Sequence, residues 1–180
     1  MSEHTVSDKH LMLDVAKGDL EAFEHIVRRH HAWAWRIAYR FLGQKEDAED
    51  IVQKAFLRLL DASGRYQSTS LFRTYFHRII SRLCLDQAKK KHPLYLDTVP
   101  DSPEPGPDAQ SEMLSRERAD AVREALDGLP VAQRLAMVLR YYENLNYHNI
   151  ASALDTTPKA VERLLARGRE RLQSILADKK

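Results

Sequence analysis

The chain is 180 residues long, 43% hydrophobic and 30% charged, a composition that suits one ordinary globular domain or two small ones and excludes a disordered chain. Its single cysteine, Cys84, excludes an internal disulfide and argues against a thiolate metal site. The apolar run around Trp33 to Phe41 is broken by Arg36 and Arg40, and the N-terminus lacks the basic-then-apolar start of a signal peptide, so a cytoplasmic protein without membrane insertion is expected.

The formal net charge of +2 hides an uneven distribution: residues 1–91 carry 16 Lys and Arg against 12 Asp and Glu, residues 116–180 carry 12 against 9, and residues 92–115 carry none against 5. Two basic blocks flanking an acidic spacer fit two modules that face a polyanion, although a solvated surface can carry the same pattern.

Taken in chain order, Gly18 and Asp19 read as a helix stop followed by a cap, after which Phe23, Ile26, Val27, Ile37 and Phe41 trace one face of a long helix closed by Gly43. A second start is expected at Asp47, ahead of the stripe Ile51, Val52, Ala55, Phe56, Leu59 and Leu60. After the polar turn Ala62 to Ser70, Phe72, Phe76, Ile79, Ile80 and Leu83 define a helix running into Lys89, Lys90 and Lys91 before Pro93 stops it, with Cys84 expected to be buried in it. Five of the seven prolines fall between Pro93 and Pro107, so residues 92–115 should form an extended linker that no helix or sheet can incorporate. Beyond it, Val122, Ala125, Leu126 and Leu129 mark a helix ending near Gly128, and Pro130 opens the next, carrying Leu135, Val138, Leu139 and Tyr142. Strand signals are almost absent, so the expected fold is all-α: two small helical domains, residues 1–91 and 116–180, joined by the Pro-rich acidic linker.

The C-terminal segment YHNIASALDTTPKAVERLLA reads as a helix-turn-helix. Ile150, Ala151 and Leu154 face Val161 and Leu164 across a turn in which Asp155 suits a left-handed residue and Thr157 with Pro158 makes a cap and first-turn pair. The same spacing also occurs in ordinary helical hairpins. In the second helix, Lys159, Glu162, Arg163, Ala166 and Arg167 lie near the N-terminal end and off the apolar face, where side chains reach base edges in a major groove, while Arg169 and Arg171 suit phosphates.

The run LPVAQRLAMVLRYYENLNYHNIASAL followed by AVERLLARGRERL resembles region 4 of the sigma-70 family. DLEAFEHIVRRHHAWAWRIAYRFLG with DAEDIVQKAFLRLL resembles regions 2.1 and 2.2, and FRTYFHRIISRLCLDQAKKK resembles regions 2.3 and 2.4. The ordered pair around an acidic linker identifies the chain as a member of the extracytoplasmic-function group of these sigma factors. The resemblance implies a non-enzymatic protein without cofactor, metal or small-molecule substrate, which binds core RNA polymerase through its clamp helices and flap, recognises promoter DNA, and is held by an anti-sigma factor. It implies that the C-terminal helix reads the minus-35 element. For the minus-10 element, trapping unpaired bases needs a loop or pocket and cations along the strand, roles open to the turn ending at Ser70 with Phe72, Tyr75, Arg78, Arg82, Lys89 and Lys90. Phe76 reads as core, whereas Phe72 is balanced between core and strand contact. Region 2.2 implies polymerase contacts at Asp50 and Gln53, with Asp47 and Lys54 beside them, although Asp47 and Asp50 also suit a helix cap. Lys54, Arg82, Asp155 and Glu162 depart from the family's usual residues, so the promoter sequence cannot be carried over from a relative.

Two other classes compete. A regulator of the response-regulator output type would share the helix-turn-helix but needs a βαβ domain in front, and residues 1–91 carry no parallel-strand pattern. A metal enzyme would need clustered ligands, yet His25, His30, His31 and His77 show no H-E-x-x-H spacing and read as packed or surface histidines.

Overall fold

The computed structural model describes residues 6–66, 71–91 and 121–177. Ser70 and the linker 92–115 lie outside the described residues, so the expectations placed on them have no counterpart here. The described residues form helices and turns without a strand.

Helix α1 spans Asp8–Val15, capped by Ser7, and α2 spans Leu20–Leu42. The α1–α2 junction follows from sequence as expected: Gly18 takes a positive φ of 95°, and the Asp19 carboxylate accepts from the amides of Glu21 and Ala22. Gly43, at φ 78°, closes α2 with its amide on the Tyr39 carbonyl. Ile26, Ile37 and Phe41 are buried, while Phe23 and Val27 are half-buried.

Helix α3, Lys45–Asp61, begins two residues before the expected start. Its N-cap is Gln44, which makes no side-chain cap bond, and Asp47 instead accepts from Gln87 Nε2 at 3.1 Å. Asp47 therefore lies inside the first turn, not at the N-cap position, and ties α3 to the next helix. A single 3₁₀ turn, Ser63–Arg65, follows, and then α4, Phe72–Lys91. Phe72 resolves toward the core, 5% exposed, with its ring 4.7 Å from His30 and 5.6 Å from Phe76. Cys84 is fully buried, and burial pushes its thiol well above the ordinary range.

In the C-terminal half, α5 covers the described residues 121–127, and α6 spans Val131–Met137 with Pro130 at its N-cap. The apolar period predicts one continuous helix through Tyr142; instead α6 widens into a π turn, Val138–Tyr142. The wider turn changes the register, so Val138 and Leu139 stay buried while Tyr142 is exposed. Helices α7, Tyr147–Ala153, and α8, Pro158–Ala177, complete the fold.

The two halves touch. Helix α4 packs on α7 and α6, and α2 packs on the π turn. Arg134 bridges them, donating to the Phe41 carbonyl at 3.2 Å and to Asp127 at 2.8 Å.

Candidate nucleic-acid interface

The helix-turn-helix is built from its caps inward. Asn146 accepts the Asn149 amide at 2.8 Å to start α7, and Thr157 accepts the Ala160 amide at 3.2 Å to start α8. Between them Asp155 takes φ 52°, a left-handed conformation that aspartate tolerates better than most residues. Ile150, Ala151, Val161 and Leu165 are buried between the helices. That burial fixes which side of α8 is free: Lys159, Glu162, Arg163, Arg167, Arg169 and Arg171 are exposed, and Ala166 is half-buried beside them. Arg169 donates to the Tyr141 hydroxyl at 3.3 Å.

On α4, residues 75, 78, 82 and 89 fall on one side of the helix. Tyr75 is half-buried and edge-on to Tyr66 at 5.4 Å, whereas Arg78, Arg82, Lys89 and Lys90 are exposed. Arg78 and Arg82 line a groove of about 400 Å³ together with Arg58, Arg65 and Tyr75. A neighbouring groove of about 420 Å³ is lined by Lys54, Arg58, Lys89 and Lys90, with Asp86 as an acidic member. Asp61 is an acidic member of the first groove, and Arg58 borders both, so the two adjacent grooves make a mainly cationic track beside an aromatic ring, a combination suited to single strands. Phe72 does not join this track, because its ring is in the core. Lys54, Arg58 and Arg65 join the members expected from sequence; the signal available was the i, i+4 placement of Lys54 and Arg58 on the polar face of α3, with Arg65 in the turn that follows.

The face of α3 expected to meet polymerase is open at Asp50 and Gln53. Lys54 pairs with Asp50 at 3.1 Å, an exposed contact of small energetic weight. Gln53 also lines an apolar groove of about 360 Å³ between α2 and α3, with Phe23, Val27, Phe56 and Leu57. Leu57 is 53% exposed. Among the described residues no cluster of His, Cys, Asp or Glu could hold a metal ion, and no helix is long and apolar enough to cross a membrane.

Residues 26–93 match the family model of sigma-70 region 2, and residues 119–172 match that of sigma-70 region 4. The chain is 33% identical over 170 residues to the ECF RNA polymerase sigma factor SigE of Mycolicibacterium smegmatis, covering 90% of this chain and 65% of that protein. It is 30% identical over 175 residues to the ECF RNA polymerase sigma factor SigW of Bacillus subtilis, covering 91% of this chain and 94% of that protein. Two solved structures share the fold: CnrH in complex with the cytosolic domain of CnrY, at TM-score 0.73 and 22% identity over 96% of this chain and 99% of that one, and the sigma factor RpoE in complex with the anti-sigma factor NepR from Bartonella quintana, at TM-score 0.67 and 18% identity over 88% and 98%.

Proposed function

The chain belongs to the extracytoplasmic-function group of sigma-70 RNA polymerase sigma factors, and from that premise we propose how its parts are used. A member of this group directs RNA polymerase to promoters, so its partners are core polymerase and promoter DNA. We assign minus-35 recognition to α8, with Lys159, Glu162, Arg163, Ala166 and Arg167 at base edges and Arg169 and Arg171 at phosphates. The minus-10 strand follows the track of Arg58, Arg65, Arg78, Arg82, Lys89 and Lys90, with Tyr75 as the stacking aromatic. Asp50 and Gln53 meet the clamp helices, an acidic and amide pair suited to a basic partner.

The observation that carries this reading is the pairing of two separate cationic faces, the outer side of α8 and the α3–α4 track, whose arginines are exposed rather than spent in the core. Sigma factors as a class are not enzymes, and in this reading the chain supplies binding and positioning alone. It works where polymerase works, in the cytoplasm. An anti-sigma partner is supported by the fold shared with the sigma factor RpoE, solved in complex with the anti-sigma factor NepR. The regulator reading is not favoured, because the N-terminal half matches sigma-70 region 2.

Run-off transcription with core polymerase and a promoter library tests the assignment. Transcripts that appear only when the chain is added, from promoters sharing two separated elements, are expected. Failure to bind core polymerase, or binding without transcription from any promoter, would overturn it.

A further inference from the structure

A groove of about 290 Å³ is lined by Arg36, Tyr39 and Arg40 of α2, Arg123 and Leu126 of α5, and Tyr142 of the π turn. Half of its lining is arginine, and no acidic side chain lines it. Aromatic rings set two of the guanidiniums in place: Arg40 lies over Tyr142 at 4.5 Å and Arg123 over Tyr39 at 5.3 Å, measured to the ring centroids. Tyr39 is stacked in turn on Trp35, with centroids 4.7 Å apart. The donors are therefore positioned before any ligand arrives, which lowers the ordering cost of binding one.

Arg36 stands one turn before Arg40 on α2, is exposed, and is engaged by no other described residue. Arg40 gives one N–H to Glu143 at 3.4 Å, and the other oxygen of that carboxylate accepts the Trp33 indole N–H at 2.7 Å. A guanidinium carries five N–H donors, so this bond leaves most of them for a second acceptor. Asp127, which shares α5 with Arg123, is answered by Arg134 at 2.8 Å. Planar donors of this kind suit phosphate oxygens. Beside them Tyr142 is 42% exposed and offers an aromatic surface. The volume lies near the lower end of the range for small-ligand sites, which admits a nucleotide and not a protein helix.

We propose that this groove binds a nucleoside di- or triphosphate, with phosphate oxygens on Arg36, Arg40 and Arg123 and the base against Tyr142. None of the lining residues belongs to the outer side of α8 or to the α3–α4 track, so the site is separate from the surfaces assigned to DNA and does not depend on that assignment. Both halves contribute to the lining, so the bound nucleotide stabilises the packed chain by mass action.

Isothermal titration of the full chain at low salt tests this, with ATP and GTP as probes beside the matching nucleosides and inorganic pyrophosphate. One nucleotide should bind per chain, more tightly than its nucleoside or pyrophosphate. Arg36→Gln changes an exposed side chain that no described residue engages, so the fold should survive, as circular dichroism will show, while nucleotide affinity falls about tenfold. Tyr142→Leu should cost more affinity for the nucleotide than for pyrophosphate, because only the nucleotide carries a base. Arg82→Gln and Arg163→Gln control for general attraction of polyanions to exposed arginines, and both should bind nucleotide as the parent does. The inference is overturned by any of four results: no nucleotide binding up to about 1 mM, pyrophosphate binding as tight as that of the nucleotide, unchanged affinity in Arg36→Gln, or losses in the two control variants that match it.

Discussion

Gly168 and Met137 meet where α8 crosses α6: a Cβ added to Gly168 would lie 3.2 Å from the Met137 Cγ and 3.3 Å from its sulfur. The absent side chain lets α8 settle on α6, and this contact sets the angle at which α8 presents Arg163 and Arg167. Replacing a mid-helix glycine by alanine gains about 1 kcal/mol of helix propensity, and Met137 is a flexible neighbour able to yield a few tenths of an ångström. Gly168→Ala is accordingly expected to leave stability within about 1 kcal/mol of the parent. Gly168→Val adds further methyl groups to the same contact and should destabilise by about 1–3 kcal/mol. Urea unfolding of the full chain measures both, and equal stability of the two variants would show that α6 and α8 are not closely packed here.

The Asp50 carboxylate is exposed on α3, with Gln53 on the same face and Lys54 as its helical neighbour. Asp50→Lys reverses the charge offered to a basic partner and places it beside Lys54, and it should weaken core polymerase binding about tenfold or more, roughly 1.4 kcal/mol. Gln53→Ala, which removes a neutral group, should cost less. Fluorescence anisotropy with labelled chain and core polymerase is the measurement. Undiminished binding by folded Asp50→Lys would remove this face from the polymerase contact.

His77 is 3% exposed, its ring edge-on to Trp33 at 4.7 Å, and its Nδ1 has no hydrogen-bond partner. Burial first, and the Arg73 charge second, lower its pKa to about 4. Below the ordinary value near 6.5 the unfolded chain takes up a proton that the folded chain refuses, so stability from this residue is complete above about pH 6.5 and falls as the pH drops toward about 4. The slope is about 1.4 kcal/mol per pH unit, which gives a loss of about 2 kcal/mol between pH 6.5 and pH 5. Denaturation at both pH values should show this loss in the parent and a smaller one in His77→Phe, which keeps an aromatic ring and removes the titration. An identical pH dependence in both proteins would mean that other groups govern it.

The all-helical fold was legible because caps and periodicity are local signals: Gly18 with Asp19, Gly43, and Thr157 with Pro158 each announce their own boundary. Asp155 was equally readable, since a turn that needs a left-handed residue leaves few choices. What escaped the sequence depends on contacts between distant elements. Asp47 reads as the start of its helix, and nothing local shows that Gln87, 40 residues away, donates to it. The π turn was hidden because an apolar period cannot record one extra residue in a helical turn. Glu143 sits in a polar stretch, YYENLN, and nothing nearby in the chain indicates that Trp33, 110 residues earlier, donates to it. Phe72 could not be assigned from spacing alone, and His30 and Phe76 decide it by taking its ring into the core. The proposed base contacts were legible only as a face of α8, because the packing of Val161 and Leu165 determines the exposed side and no more.

That exposed side of α8 separates two kinds of contact. Arg163 and Arg167 lie one turn apart near the start of the helix, while Arg171 lies a further turn along, and none of the three is engaged by another described residue. A recognition helix meets base edges through its N-terminal part, so Arg163 and Arg167 should discriminate sequence and Arg171 should hold the backbone. A guanidinium bidentate to guanine carries about 1–3 kcal/mol of discrimination, whereas loss of a phosphate contact weakens every sequence alike and lowers the salt slope by about one. Arg163→Ala or Arg167→Ala should therefore lower transcription from a cognate promoter more than from minus-35 variants, which have already lost the contact, and Arg171→Ala should lower both in proportion. Promoter titrations at several salt concentrations, run beside transcription assays, separate these outcomes. Equal losses for all three substitutions with matching salt slopes would assign the whole helix to the phosphate backbone, leaving minus-35 selection to the shape of the DNA.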